Sequence, residues 1–122
     1  MRIIIGGAGR VGTELARALR AEEMDVVLVD SDSRAVKNAQ NLDVLVIHGD
    51  LTTREKLHEA GIGEAEIFVA ATNSDERNLL ACALAEHAHY QYGGAKAKPL
   101  MSISRVRSMN FIQEQKQGHL TG

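Results

Sequence analysis

The sequence opens on a strand, a glycine-rich turn and a helix in immediate succession, and no other feature restricts the fold as much. Arg2 to Ile5 is a β-branched run, read as a strand. It leads into Gly7-Ala8-Gly9-Arg10-Val11-Gly12, and Val11 to Arg20 then carries apolar residues at Val11, Leu15, Ala18 and Leu19, a helical stripe. The spacing G-x-G-x-x-G is weak evidence alone, but between a strand and a helix it has a mechanism. Gly7 permits the tight turn, Gly9 lets the backbone approach a phosphate with no Cβ in the way, and Gly12 lets the helix pack close to the sheet. The free N–H groups and dipole of the helix start favour an anion there. A tight turn without a ligand is the alternative reading of the glycines alone.

The rest of the chain alternates in the same way. Val26 to Val29 reads as a second strand ending at Asp30, and Asp32 is placed to cap a helix from Ser33 to about Gln40. Val44 to Ile47 is a third strand ending in His48-Gly49-Asp50. Thr52 and Glu55 have the spacing of a capping box for a short helix to about Ala60, stopped by Gly61 and Gly63. Ile67 to Ala70 is a fourth strand. Asn73 and Glu76 have the same box spacing before a long helix to about Tyr92. Gly93 to Pro99 reads as a loop, Leu100 to Ile103 as a fifth strand and Val106 to about Gln115 as a helix, with a tail from Gly118 that frays. Strand–helix alternation with short, right-handed connections predicts an α/β, Rossmann-like, doubly wound parallel sheet in a single domain spanning 1–122.

Composition excludes several classes. A chain of 122 residues holds one domain and can build a core without disulfides or metals. Aromatics are 3% with no Trp, so Ala, Val, Leu and Ile must fill the interior. A formal charge of −2 supplies no basic excess for a nucleic acid. The single cysteine, Cys82, excludes an internal disulfide and reads as a buried, inert thiol within Leu79 to Leu84. No apolar run approaches the roughly 18 residues of a membrane span, so no membrane insertion is expected. The N-terminus reads as a strand rather than a signal peptide. A soluble protein of a reducing cytoplasm is the expectation.

Three acidic or polar strand ends bear on the ligand. Asp30 stands 18 positions beyond Gly12, near the spacing at which a carboxylate accepts the hydroxyls of an adenosine ribose. Such a carboxylate repels a 2′-phosphate, which favours NAD, ADP or ATP over NADP; a helix cap or solvated turn is the other reading. Arg34 is the exception to note, since an arginine there can accept a 2′-phosphate. Asp50 ends the third strand, where it could accept from an adenine amino group with Leu51 packed on the ring; a plain turn before Thr52 remains open. Ala71-Thr72-Asn73 ends the fourth strand, where the second half of a dinucleotide lies, with Thr72 and Asn73 facing ribose or phosphate. Helix capping by Asn73 is compatible with either reading.

These runs, with Val29-Asp30-Ser31-Asp32, His48-Gly49-Asp50-Leu51, Leu57 to Ala65 and Val69 to Asn78, resemble the RCK/KTN domain. This is the N-terminal domain of Trk-type potassium-uptake regulatory subunits and of related potassium channels. The resemblance extends through Val106. It implies a cytoplasmic homo-dimer or larger ring on the inner face of the cell membrane, partnered by a potassium transporter or channel subunit. It implies binding of NAD or NADH, or alternatively ATP, ADP or AMP, with nucleotide-dependent gating. The site it implies holds Gly7, Gly9, Arg10, Val11, Gly12, Asp30, Asp50, Leu51, Ala71, Thr72 and Asn73. Arg10 matches a family arginine near the phosphates and dimer interface, Asp75, Glu76 and Asn78 a segment beside the site, and Arg105 an arginine near the crevice or a subunit contact. The family commonly continues into a smaller C-terminal domain, so a fragment or a short stand-alone form is expected. His87 and His89, two apart, do not share a helix face, which speaks against metal.

An NAD-dependent oxidoreductase is the competing class. It requires an acid–base residue beside the nicotinamide. His48 falls at the adenine side, and His58, His87 and His119 fall on predicted helices or the tail without an evident carboxylate partner. No Ser–Lys–Tyr or Cys–His set is present. A non-catalytic nucleotide sensor is therefore the preferred reading, and a dimeric scaffold with a vestigial loop the third.

Overall fold

A computed structural model of the chain describes residues 1–106. The helix expected from Val106 to about Gln115, and the tail after it, lie outside the described residues. The described elements alternate β1 (Arg2–Gly6), α1 (Arg10–Ala21), β2 (Asp25–Asp30), α2 (Ser33–Ala39), β3 (Leu45–His48), α3 (Arg54–Glu59), β4 (Ala65–Ala70), α4 (Asp75–Gly93) and β5 (Met101–Ser104). Single 3₁₀ turns, Ile62–Glu64 and Gly94–Lys96, precede β4 and follow α4. All five strands are parallel, in the order β3-β2-β1-β4-β5. The chain winds outward from β1 to β3, then crosses back to place β4 on the other side of β1. That reversal opens a crevice at the carboxyl ends of β1 and β4.

Strand alternation splits the core between the two faces of the sheet. Ile4, Val27, Val29 and Phe68 pack toward α3 and α4. Ile3, Ile5, Val26, Leu28 and Val69 pack toward α1 and α2. Each wholly buried Ile, Leu or Phe contributes about 1.5–3 kcal/mol through the apolar surface it removes from water. Few aromatics are needed because α4 lies close to the sheet. Ala81, Ala85 and Ala88, at helical spacing, are all 0% exposed.

Several local expectations shift. The buried stripe of α1 is Gly12 and Ala16 with Leu15 and Leu19 partly covered, while Val11 and Ala18 face outward. The cap of α3 is Thr53, whose hydroxyl oxygen accepts the Lys56 N–H, not Thr52. Asp50 draws the Thr52 hydroxyl to itself at 2.6 Å, and its Oδ1 also accepts the Thr52 N–H at 2.9 Å. The cap of α4 is Ser74, which accepts from the Arg77 N–H, not Asn73. Cys82 is half-buried rather than buried. Burial, reinforced by the charge of Glu86, pushes its thiol above the usual range, which disfavours the thiolate. His89 is 0% exposed, with Nδ1 2.7 Å from the Ile62 carbonyl oxygen and Nε2 2.5 Å from that of Lys98. It ties the end of α4 to the turn before β4 and to the approach to β5.

Candidate functional site

The carboxyl rim of the sheet is stitched by backbone hydrogen bonds that continue the ladder past the strands. The Gly49 N–H donates to Asp30, Gly7 to Val29, Ala71 to Gly6 and Arg105 to Ala70, all at 2.7–2.9 Å. The glycine turn, the end of β2 and the ends of β4 and β5 are thereby held in one row. Gly7 has φ +114°, a conformation that excludes most side chains, and a Cβ on it would meet the Ala71 carbonyl oxygen at 2.8 Å. Gly12 is packed for a different reason: its Cβ would fall 1.7 Å from the Gly7 carbonyl oxygen. Gly9 differs from both, since a Cβ there would meet nothing within 4 Å. Its surface is open to whatever approaches the start of α1.

That surface borders a cleft of about 450 Å³ at the switch point. One wall is Gly7, Gly9, Arg10 and Val11; the second is Asp30 with Asp32 and Ala35; the third is Ala71, Thr72 and Asn73; Arg105 closes the far side. The structure thus brings together every residue the sequence singled out for the site except Gly12, Asp50 and Leu51. Gly12 lies behind the loop as a packing position. Leu51 is 3% exposed and sets its methyl groups against Gly6, so its side chain belongs to the core rather than to an adenine face. Asp50 is engaged elsewhere. Its Oδ1 accepts from Thr52 and from Arg77 Nη2 at 2.8 Å, joining the β3 end to the first turn of α4. The Thr52 hydroxyl first, then its backbone N–H and the nearby Arg77 guanidinium, hold the Asp50 carboxyl below the usual carboxylate range against the opposing effect of burial.

Asp30 does more than face the cleft. Its Oδ2 accepts the Ala8 N–H at 2.7 Å and its Oδ1 the Asp32 N–H at 2.8 Å. One carboxylate therefore holds the glycine loop against the β2–α2 turn. Each oxygen retains lone-pair capacity for a further donor. Arg10 and Arg105 supply positive charge to the same cleft, and the first-turn position of Arg10 opposes the helix dipole unless an anion joins it.

Asn78 organises the opposite wall. It is 0% exposed on α4, in the stripe of Ala81, Ala85 and Ala88. Its Oδ1 accepts the Thr72 N–H at 2.9 Å and the Thr72 hydroxyl at 2.6 Å, and its Nδ2 donates to the carbonyls of Thr72 at 3.1 Å and Arg105 at 3.0 Å. This amide adds a side-chain tie between the ends of β4 and β5 to the Arg105–Ala70 backbone bond. The Thr72 hydroxyl is thereby committed within the wall, and the Ser74 N–H donates to its oxygen. The sequence placed Asn78 beside the site without its clamping role. A polar amide at helical spacing in an otherwise alanine stripe was the available signal.

Among the described residues no group of three or more His, Cys, Asp or Glu is arranged to hold a metal ion. Among the same residues no helix is long and apolar enough to cross a membrane.

The strand order, the glycine turn and the crevice between β1 and β4 define a Rossmann-like domain with the NAD(P)-binding fold. The family model of the TrkA-N domain matches residues 3–114, and the chain belongs to that family. It is 36% identical over 115 residues to the Trk system potassium uptake protein TrkA of Haemophilus influenzae, covering 93% of this chain and 23% of that protein. It is 44% identical over 88 residues to the Trk system potassium uptake protein TrkA homolog of Pyrococcus abyssi, covering 71% and 39%. The chain therefore spans between 23% and 39% of the length of these relatives. Among solved structures it resembles the NAD(P)-binding domain of an exopolyphosphatase-related protein from Archaeoglobus fulgidus, with TM-score 0.66, 14% identity and coverage of 96% and 97%. It also resembles the Thermus thermophilus UDP-glucose 4-epimerase in complex with NAD, with TM-score 0.62, 20% identity and coverage of 76% and 35%. These two likenesses concern the fold alone.

Proposed function

We propose that this domain is a non-catalytic sensor that binds NAD(H) or an adenine nucleotide and regulates a membrane potassium transporter or channel. The observation that carries the reading is the convergence of the open face of Gly9, the Asp30 carboxylate and the clamped Thr72–Asn73 wall on one cleft. Phosphates fit over Gly9 at the start of α1, where backbone N–H groups and the dipole favour them. A ribose fits against Asp30, whose remaining lone pairs accept its hydroxyls. The relatives named as potassium uptake proteins support the regulatory setting.

The cleft argues against chemistry. Among the described residues the acid–base side chains that line it are the carboxylates of Asp30 and Asp32, and each already accepts a backbone N–H. A hydride-transfer site needs a proton donor or acceptor poised at the substrate.

Regulation follows from linkage. A nucleotide bound differently by two arrangements of a homo-oligomer shifts their populations by that difference in affinity and by no more. A coupling of about 1–3 kcal/mol is enough for a regulatory response. In this reading the domain sits at the cytoplasmic face of the membrane, as a dimer or ring, beside the transporter subunit. Calorimetric ranking of NAD, NADH, ATP, ADP and AMP, with oligomer mass measured in each state, tests it. Binding that changes the mass or shape of the assembly supports a sensor; turnover of NADH with a small carbonyl substrate would move the assignment to an oxidoreductase.

A further inference from the structure

His89 stands near the carboxyl end of α4 with its ring between two backbone carbonyls, Nδ1 facing the oxygen of Ile62 at 2.7 Å and Nε2 that of Lys98 at 2.5 Å. A carbonyl oxygen carries no hydrogen, so each contact is a hydrogen bond only if the ring supplies one. Neutral imidazole has a single N–H, and its bare nitrogen would point a lone pair at an oxygen. At 0% exposure the ring has no solvent to relieve that repulsion. The imidazolium satisfies both contacts, because it donates from both nitrogens. The carboxyl end of α4 adds a negative dipole that favours the cation.

The ionisable neighbours do not decide between the two forms. Glu64 from the turn before β4, Glu66 from β4, and Lys96 and Lys98 from the approach to β5 line the hollow beside the ring. Two carboxylates there face two ammonium groups, and Glu66 pairs with Lys98 at 3.7 Å. On α4, Glu86 accepts the Ser102 hydroxyl at 2.6 Å, His87 is exposed, and the Tyr90 ring meets the imidazole at 78°. Tyr92 lies in the same hollow, stacked on His58 of α3. β5 brings no ionisable side chain. The two carbonyls are what distinguish the protonation states of the ring.

We infer that His89 is a pH-sensitive latch: with both ring nitrogens protonated it holds the approach to β5 against the turn before β4, and loss of one proton releases the Lys98 carbonyl. The Ile62 contact is buried, whereas the Lys98 contact is part-buried and closer to water. The neutral ring therefore keeps its hydrogen on Nδ1, and water takes over the Lys98 carbonyl. The released stretch leads into β5, the strand that ends at Arg105 on the cleft. An unfolded histidine has shed its second proton above about pH 6.5. Folding above that pH takes up a proton. The contribution of the latch is thus complete below about pH 6.5 and is lost as pH rises until the folded ring also gives up the proton.

The test is proton–nitrogen NMR on the full chain with 15N-labelled histidine, from pH 6 to 9, with the His89 ring assigned through bonds from its own backbone. Hydrogen exchange of the Leu100 to Ser102 amides, corrected for the intrinsic effect of pH, is followed on the same samples. The expected result is a hydrogen on each His89 nitrogen at pH 7, with loss of one at higher pH accompanied by falling amide protection. A bare His89 nitrogen at pH 7 in the folded domain, or protection unchanged to pH 9, would overturn the latch. Urea unfolding of wild type and His89→Gln gives a second readout. Each pH unit above about 6.5 should lower the wild-type folding constant, relative to that of the variant, by up to about tenfold. A constant ratio from pH 6 to 9 would equally overturn it. If His89→Gln does not fold, the wild-type spectra and exchange decide.

Discussion

Asn78 meets Thr72 through three hydrogen bonds, accepting its amide N–H at 2.9 Å and its hydroxyl at 2.6 Å and donating to its carbonyl at 3.1 Å. The fourth, to the Arg105 carbonyl at 3.0 Å, carries the tie across to the end of β5. Asn78→Ala leaves the Thr72 N–H and carbonyl unpartnered in a part-buried wall, and leaves the Arg105 carbonyl only a 3.5 Å contact from the Ser104 hydroxyl. Each such orphan costs about 1–3 kcal/mol, so a total loss of roughly 3 kcal/mol is expected in urea unfolding. A loss below about 0.5 kcal/mol, the size of an ordinary surface change, would show that the clamp does not hold the wall.

Asp30 serves the fold and the proposed ligand together, and its replacement has two readouts. Asp30→Ala removes the acceptor for the Ala8 and Asp32 N–H groups, bonds worth about 1.5–3 kcal/mol each because the acceptor is charged. The urea midpoint therefore falls. Adenine-nucleotide affinity falls as well, by at least about tenfold, because the ribose loses its acceptor. A lower midpoint with unchanged affinity would confine Asp30 to holding the loop.

Asp50 makes the stability of the domain depend on acid. Its folded pKa is depressed, so its contribution is fully present above the unfolded value of about 3.9 and is lost as pH falls through the lower folded value. Its side chain is 42% exposed and the Arg77 partner 45%, so the pair contributes no more than about 1 kcal/mol. Asp50→Asn should lower the urea midpoint slightly and equally between pH 7 and about pH 5, with the gap closing below about pH 4. A gap that widens toward acid would contradict the assigned contacts.

What the sequence disclosed follows from how local each signal is. Alternation of apolar runs located the described strands and helices, because burial on a parallel sheet imposes it residue by residue. The glycines, Asp30 and the Ala71–Asn73 run could be placed together because they end neighbouring strands of a predictable sheet. Tertiary competition was not legible. Thr52 and Asn73 sit at good capping positions, yet Thr52 turns to Asp50 and Ser74 caps α4 in place of Asn73. Leu51 follows a polar strand end and reads as packed on an adenine ring, but the approach of Gly6 opens a core position for it. The Arg77–Asp50 and Asn78–Arg105 contacts each join residues 27 positions apart, and no local pattern encodes such pairings.

The claim that the switch-point cleft holds a nucleotide is tested most directly at Gly9, with Gly12 as the control. Gly12→Ala drives a Cβ into the Gly7 carbonyl oxygen and should destabilise the fold by several kcal/mol, roughly as other backbone-incompatible changes do. Gly9→Ala places its Cβ in open space on a backbone with φ −79°, and the free domain should melt at or slightly above the wild-type temperature. The decisive measurement is calorimetric titration of wild type and Gly9→Ala with NAD, ATP, ADP and AMP. The account predicts binding of at least one by the wild type and a loss of about tenfold or more in Gly9→Ala, because the methyl group occupies the place of the phosphate. Equal affinity in the two proteins, or no binding by the wild type to any of the four, would contradict it.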